Sequence, residues 1–214
     1  MGVGIAEMKN ALLICCGLAG QVVVAATVTE NFDSIKAGDG LPAEWQSGFY
    51  GNKGSPRWKV ELDKDAPSAP NVLKQSGNAI YNWLVKRSVS IKDGSIEAKI
   101  RVASGKEDPE AGVIWRFIDG KNYYYVRANS VENNIVVYKM DGGKKISVKS
   151  VDIPVGKAWH TIRAEFKDSS IAIKFDGKEV LSLQNSTIKK SGSAGFFTTA
   201  DTVALFDDVK IEGK

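Results

Sequence analysis

Very little in this sequence could hold a transition metal or a disulfide. It contains one histidine, His160, and two cysteines, Cys15 and Cys16, side by side in an apolar stretch near the start. With no cysteine after that stretch, the body of the chain has no disulfide staple, no thiol nucleophile and no Cys/His metal cluster. Charge of one sign is also missing as a block: 29 basic and 25 acidic residues are interspersed and leave a net charge of +4. A nucleic-acid reader would gather its basic residues into a stripe, so no nucleic-acid partner is expected. An acidic partner stays open on charge alone. Beyond the N-terminus no stretch keeps a helical period for three turns, which excludes a helix bundle.

The one apolar run lies at the N-terminus. Lys9 precedes "ALLICCGLAGQVVVAA", and small residues come before "TVTENF". A basic start, an apolar stretch and a small-residue end are the pattern of a secretory signal peptide. At about sixteen residues the run is short of the roughly 20 that a spanning helix needs. The expectation is a signal over residues 1–26, cleaved after Ala26, and a secreted or periplasmic chain with no membrane segment after cleavage. A lipid anchor is the alternative, but Leu13 and Ile14 are bulky where a small residue is wanted before the cysteine. Removing 26 of 214 residues leaves 188, one domain's worth of chain whose stability must come from its own core. A monomer is expected.

Period-two alternation recurs through the rest. In "SIEAKIRVAS", Ile96, Ala98, Ile100 and Val102 share one face and Glu97, Lys99 and Arg101 the other. "HTIRAEF" and "SIAIKF" repeat the pattern with Ile162, Ala164 and Phe166, then Ile171, Ile173 and Phe175. A strand buried on one side must read this way. Asp93-Gly94, Asp119-Gly120, Asp141-Gly142-Gly143 and Asp176-Gly177 supply the positive φ that tight hairpins demand. About a dozen short antiparallel strands in one domain, residues 27–214, predict an all-β, two-layer antiparallel sandwich, a jelly roll. The segment from about 37 to 80 is rich in proline and glycine, so long loops are expected there, with Trp45 and Trp58 plugging the sandwich ends or strand edges or, alternatively, lying in the core.

The order of "NFD", "LPAEW", "RWKV", "NVLKQ", "GVIWRFIDGKNYYYVRA", "WHTIRAEF", "IAIKFDGKEVL", "SGSAGFFTTADT" and "FDDVKI" resembles the concanavalin A-like lectin/glucanase superfamily. Within it, the resemblance is to secreted bacterial domains related to the 3-keto-disaccharide hydrolase and laminin-G-like families. It spans essentially the whole mature chain and rests on motifs of a fold. In that superfamily one sheet is concave and sugars bind across it, so the resemblance implies a glycan partner.

The hairpin "AGVIWRFIDGKNYYYVRAN" is then the place to look. If Val113, Trp115 and Phe117 point inward with Tyr124 and Val126, then Arg116, Tyr123, Tyr125 and Arg127 project from the other face. Tyrosine rings stack on pyranoses and arginine forks hold hydroxyls or carboxylates, so these four are the candidate ligand-binding residues. The alternative is an ordinary sheet face on which tyrosine is favoured and arginine covers its stem. Trp45, Tyr50 and Trp83 are the second place to look.

A retaining glucanase needs two carboxylates about 5–5.5 Å apart. Glu107, Asp108 and Glu110 in "KEDPEAG" are interrupted by Pro109 and read as an acidic loop before the strand, so no acid/base pair is identified. His160, after Trp159, reads as structural. In "ALFDDVKI", period two puts Asp207 on the core face with Leu205, Val209 and Ile211, which is costly for an unpaired carboxylate. The resemblance implies a structural calcium between an "ENFDS" strand and a closing "DDV" strand, held by Glu30, Asp33 and Asp207 with Asp208 in reserve. A hydrogen-bonded aspartate at a strand edge is the alternative. Three functions stay open: a secreted carbohydrate-binding domain, a glycoside-processing hydrolase or lyase, and a laminin-G-type interaction module. N-terminal sequencing of exported protein should return Thr27 as the first residue; Met1 or a lipidated Cys16 would overturn the signal assignment.

Overall fold

The computed structural model describes residues 27–213; residues 1–26, the expected signal with Cys15 and Cys16, lie outside them. The strands run β1 (Thr27–Glu30), β2 (Trp45–Gly48), β3 (Gly54–Ser55), β4 (Trp58–Leu62), β5 (Asn71–Gln75) and β6 (Asn78–Ile91). Next come β7 (Gly94–Ser104), β8 (Glu110–Asp119), β9 (Asn122–Asn129), β10 (Asn134–Asp141) and β11 (Lys144–Asp152). The series closes with β12 (His160–Lys167), β13 (Ser170–Phe175), β14 (Lys178–Gln184), β15 (Gly192–Ala200) and β16 (Val203–Gly213). They form two antiparallel sheets of eight strands each. The first has the order β14-β13-β12-β7-β16-β5-β4 with β1 on β16; the second has β11-β10-β9-β8-β15-β6-β2 with β3 on β6. This is the two-layer jelly-roll sandwich that the alternation predicts. Among the described residues no helix is long and apolar enough to cross a membrane.

The main core lies between the sheets and follows from the period-two pattern. Ile96, Ala98, Ile100 and Val102 of β7 are at most 3% exposed, as are Ile162, Ala164 and Phe166 of β12. Trp45 and Trp58 are in this core, the alternative of the two placements expected for them, with Trp45 stacked on Phe196 at 5.6 Å between ring centroids. Not every turn follows the expected chemistry. Asp176 and Gly177 both take positive φ (49° and 78°), as a two-residue hairpin requires. At Asp119-Gly120 the side chain instead shapes the turn: Asp119 Oδ1 accepts from the Lys121 amide at 2.7 Å and from Asn122.

The alternation breaks once in β8, and the consequences are large. Arg116 has φ 47°, and the pairing of β8 with β9 slips between Trp115 and Asp119. An extra residue in the left-handed region reverses which face the following side chain takes. Trp115 stays inside, stacked on Tyr124 at 5.6 Å and Phe166 at 5.8 Å. Phe117, expected inside, emerges on the opposite face beside Trp83 and Tyr123. Gly192 permits the bulge, because a Cβ there would stand 2.5 Å from the Arg116 carbonyl carbon.

Arg116 is therefore not a surface ligand residue. It is fully buried at the end of the sandwich, with its guanidinium 5.6 Å from the Phe166 ring centre. It donates to the carbonyls of Lys92 (2.7 Å), Ile188 (2.9 Å) and Asp168 (2.8 Å), and to Asp93 Oδ1 at 3.3 Å. One side chain thus ties three connections together. Arg116→Met should cost about 3–5 kcal/mol in urea unfolding, since it strands buried acceptors and Asp93. A loss under about 0.5 kcal/mol would refute that structural role.

Candidate functional site

The outer face of the second sheet, the one turned away from the core, carries a second apolar cluster. Its members include Trp83, Phe117, Tyr123, Tyr125 and Phe197, with Tyr50, Tyr81 and Tyr138 packed on them. The register builds it directly: Tyr125 lies opposite Tyr138, and Trp83 opposite Phe197. Cross-strand aromatic pairs of this kind hold each other in place. Tyr125 stacks on Phe197 at 3.9 Å and on Tyr138 at 5.1 Å, and Trp83 meets Phe117 at 4.6 Å. Gly48 on β2 makes room for the Trp83 indole, because a Cβ there would fall 2.2 Å from it.

Tyr123, Tyr125 and Arg127 do share this face, as the hairpin pattern implies, and Tyr50 and Trp83 from the second candidate group join them. They are not solvated, however: Tyr123 and Tyr125 are 0% exposed and Arg127 is 3% exposed. Tyr81 and Tyr138 form a roof with Lys145, whose Nζ lies 5.3 Å and 4.5 Å from their ring centres. Truncating Tyr125 would therefore open a cavity, contrary to the expectation for a projecting side chain. Trp45, by contrast, is in the main core and lines nothing here.

The polar atoms of this face have poor internal satisfaction. The hydroxyls of Tyr123 and Tyr125, Trp83 Nε1, both Glu110 oxygens and Arg127 Nε are buried without a hydrogen-bond partner. Buried polar groups left unpaired cost about 1–3 kcal/mol each, and half of the atoms of this kind among the described residues gather on this one face. Glu110 is the residue that the sequence reading missed. It is the first residue of β8, opposite Asn129, rather than part of a preceding loop, and it is 0% exposed. Its Oε2 lies 2.7 Å from Arg127 Nε, but off the N–H direction, so the contact is an ion pair and not a hydrogen bond. Arg127 also reaches Glu132 at 2.7 Å and the Tyr138 hydroxyl at 3.4 Å.

Burial pushes the Glu110 carboxyl up to about 8, against the pull of Arg127 and, more weakly, Lys145. Burial also works against the Arg127 charge, but Glu110, Tyr138 and Glu132 outweigh it and the guanidinium holds its proton more tightly than usual. The two partners thus point in different directions. The arginine is the one that stays charged, because Glu132 supports it independently. Burial, followed by the neighbouring Glu110, raises the Tyr125 phenol above its ordinary range.

The expected calcium ligands are only partly gathered. Glu30 Oε1 accepts from the Phe32 amide at 2.9 Å. Asp33 Oδ1 accepts from the Asn71 amide at 3.0 Å, and Asp207 Oδ2 accepts from the Ser68 amide at 2.8 Å. Asp207 is not on the core face: Phe206 occupies the core there, and a bulge at Asp208 (φ 46°) restores the phase for Val209 and Ile211. Its burial comes from the 63–70 connection folding over it. Burial, with Asp208 and Asp33 adding, pushes its carboxyl up to about 6 against the Ser68 and Asp208 amides. Among the described residues no three His, Cys, Asp or Glu side chains stand in a metal-holding group. His160 stacks on Phe175 at 4.7 Å between Asp176 (2.8 Å) and the Val155 carbonyl (2.5 Å), a structural placement.

An open depression of about 720 Å³ lies on the other sheet and is lined by Arg163, Glu165 and Glu212 among others. There Arg163 bonds Glu165 at 2.8 Å and Glu212 at 3.1 Å, and Lys174 and Lys210 complete the pairing. That surface is electrostatically closed, whereas the aromatic face is not. The aromatic face is the candidate site.

Solved structures share the architecture. The carbohydrate binding module CBM66 from Bacillus subtilis matches with a TM-score of 0.64 at 16% identity, over 78% of this chain and 95% of that one. A Bacillus licheniformis beta-glucanase matches at 0.59 and 13%, over 88% and 98%. A Bacteroides ovatus mixed linkage glucan GH16 protein in complex with product matches at 0.60 and 10%, over 86% and 99%. The likeness is one of fold, a two-layer antiparallel jelly-roll sandwich. No protein-family model and no curated protein matches the chain.

The Glu110 shift has a measurable sign. Its folded pKa of about 8 lies above the unfolded value of roughly 4.3. The stabilisation it contributes is therefore complete below about pH 4.3 and is lost as pH rises through about 8. Unfolding free energy should fall between pH 5 and 9, and Glu110→Gln should flatten that decline; an unchanged profile would show that Glu110 is ionised in the folded protein.

Proposed function

We propose that the protein is a secreted, monomeric carbohydrate-binding domain that holds a glycan on the aromatic face of its second sheet. One observation carries this reading: the half-buried rings of Tyr50, Tyr81 and Tyr138 cover a layer in which the Tyr123 and Tyr125 hydroxyls and Trp83 Nε1 have no internal partner. Rings that stack on sugar faces, interleaved with donors and acceptors for hydroxyls, are the chemistry that a sugar site requires. The carbohydrate-binding and glucanase neighbours of the same fold agree with it. A second reading, a glycoside-processing hydrolase or lyase, is favoured by Glu110 alone. A carboxyl that keeps its proton near neutral pH is what a general acid needs.

A glycan array followed by product analysis of every hit separates the two: binding without turnover supports the first reading, and product formation the second. Tyr125→Phe is the informative variant. Removing a buried hydroxyl that has no partner should leave stability unchanged or raise it by about 1 kcal/mol, while glycan affinity falls. Undiminished affinity in both Tyr125→Phe and Tyr138→Ala would place the site elsewhere.

A structural calcium at Asp33 and Asp207 is proposed separately. Asp207 is fully buried with like charges beside it, and the nearby Asn71 Oδ1 is buried without a partner. Hard oxygen donors of this kind suit calcium, with Glu30 contributing less because it serves the Phe32 amide. Chelation should then lower the melting temperature and added calcium restore it, a response absent in Asp207→Asn. No response in the wild type would end the proposal.

A further inference from the structure

One cation of the aromatic face, at its roof, has no carboxylate within ion-pair distance among the described residues. Arg127 meets two carboxylates, Glu110 and Glu132, each at 2.7 Å. The remaining acids around the face are already engaged. Asp141 faces Lys139 at 3.4 Å, Asp119 bonds Asn122 at 2.9 Å, and Asp108 bonds Asn129 at 2.5 Å. Lys145 is different. It lies opposite Met140 on the same side as Tyr123, and its ammonium rests on the rings of Tyr81 and Tyr138. Among the described residues it makes no ion pair. Its half-buried position holds a cation directly beside the stacking surface.

Resting on the glycan-binding reading, we propose that this face selects an acidic glycan, with Lys145 as the specificity-determining cation that meets the sugar's carboxylate or sulfate. A ring stacked on Tyr138 or Tyr81 would bring a charged exocyclic group to the ammonium that already lies over both rings. A tyrosine face attracts a cation only weakly compared with an anion at hydrogen-bond distance, so the ammonium is free to exchange partners. The acids underneath do little to oppose such a ligand. Arg127 stands between Glu110 and Glu132 at 2.7 Å from each, and burial favours the neutral form of Glu110. The neutral end of this face, around Trp83 and Phe117, would take the unsubstituted neighbours in the chain.

The test compares oligomers of galacturonate, glucuronate and mannuronate with their carboxyl-reduced forms, and a sulfated galactan with its desulfated form, by titration calorimetry. An acidic form bound about tenfold or more tightly than its neutral counterpart, with the preference shrinking as salt rises, supports the proposal. The preference should vanish in Lys145→Met and survive in Lys145→Arg, with circular dichroism and melting temperature unchanged in both. Whichever pair shows it, uronate or sulfate, identifies the charged group. Equal binding of charged and neutral forms overturns the acidic selectivity and leaves glycan binding intact, as does a preference that survives Lys145→Met for the role of that residue. If no glycan binds at all, the underlying reading fails and this one with it.

Discussion

A single left-handed residue, Arg116, sets the layout on which both cores depend. In a regular strand Trp115 and Phe117 would share a face, and the outer aromatic layer would lose the ring that joins Trp83 to Tyr123. The bulge instead sends consecutive aromatics to opposite sides of the sheet and turns the arginine into the gap at the sandwich end. A positive φ at a bulky residue is strained, so it needs compensation. Three carbonyl acceptors, Asp93 and the Phe166 ring provide it.

The two cores differ in kind. The one between the sheets is aliphatic and aromatic packing of the sort that alternation always produces, and its job is stability. Both leave polar atoms without a partner, but in the inter-sheet core these are the indole N–H groups of Trp45, Trp58 and Trp115, whereas the outer one adds two tyrosine hydroxyls. An apolar cluster gains from burial in proportion to area, yet each stranded hydroxyl or carboxylate subtracts from that gain. On the other sheet, by contrast, Arg163, Lys174 and Lys210 neutralise Glu97, Glu165 and Glu212.

The sandwich was legible because period two leaves little freedom: a strand with one buried face must alternate, as β7, β12 and β13 do. The tyrosines at 123 and 125 were placed on the correct face by the same rule. Errors arose where the rule was interrupted. The bulges at Arg116 and Asp208 each shift the phase by one residue, misplacing Arg116, Phe117 and Asp207. Glu110 was read as loop because Pro109 precedes it, although proline at the edge of a strand is compatible with a strand starting at the next residue.

By itself, then, the amino-acid sequence determined the fold class, the positions of most turns and the residues that fill the inter-sheet core, because these follow from local alternation and backbone chemistry. Only the tertiary structure decided that Tyr50, Tyr81, Trp83 and Phe197, distant along the chain, meet Tyr123 and Tyr125 on one face. It alone paired Glu110 with Arg127, and left Lys145 over two rings with no carboxylate of the described residues within ion-pair distance. Burial and electrostatic balance are properties of what strand register and sheet order bring together, and no window of sequence contains them.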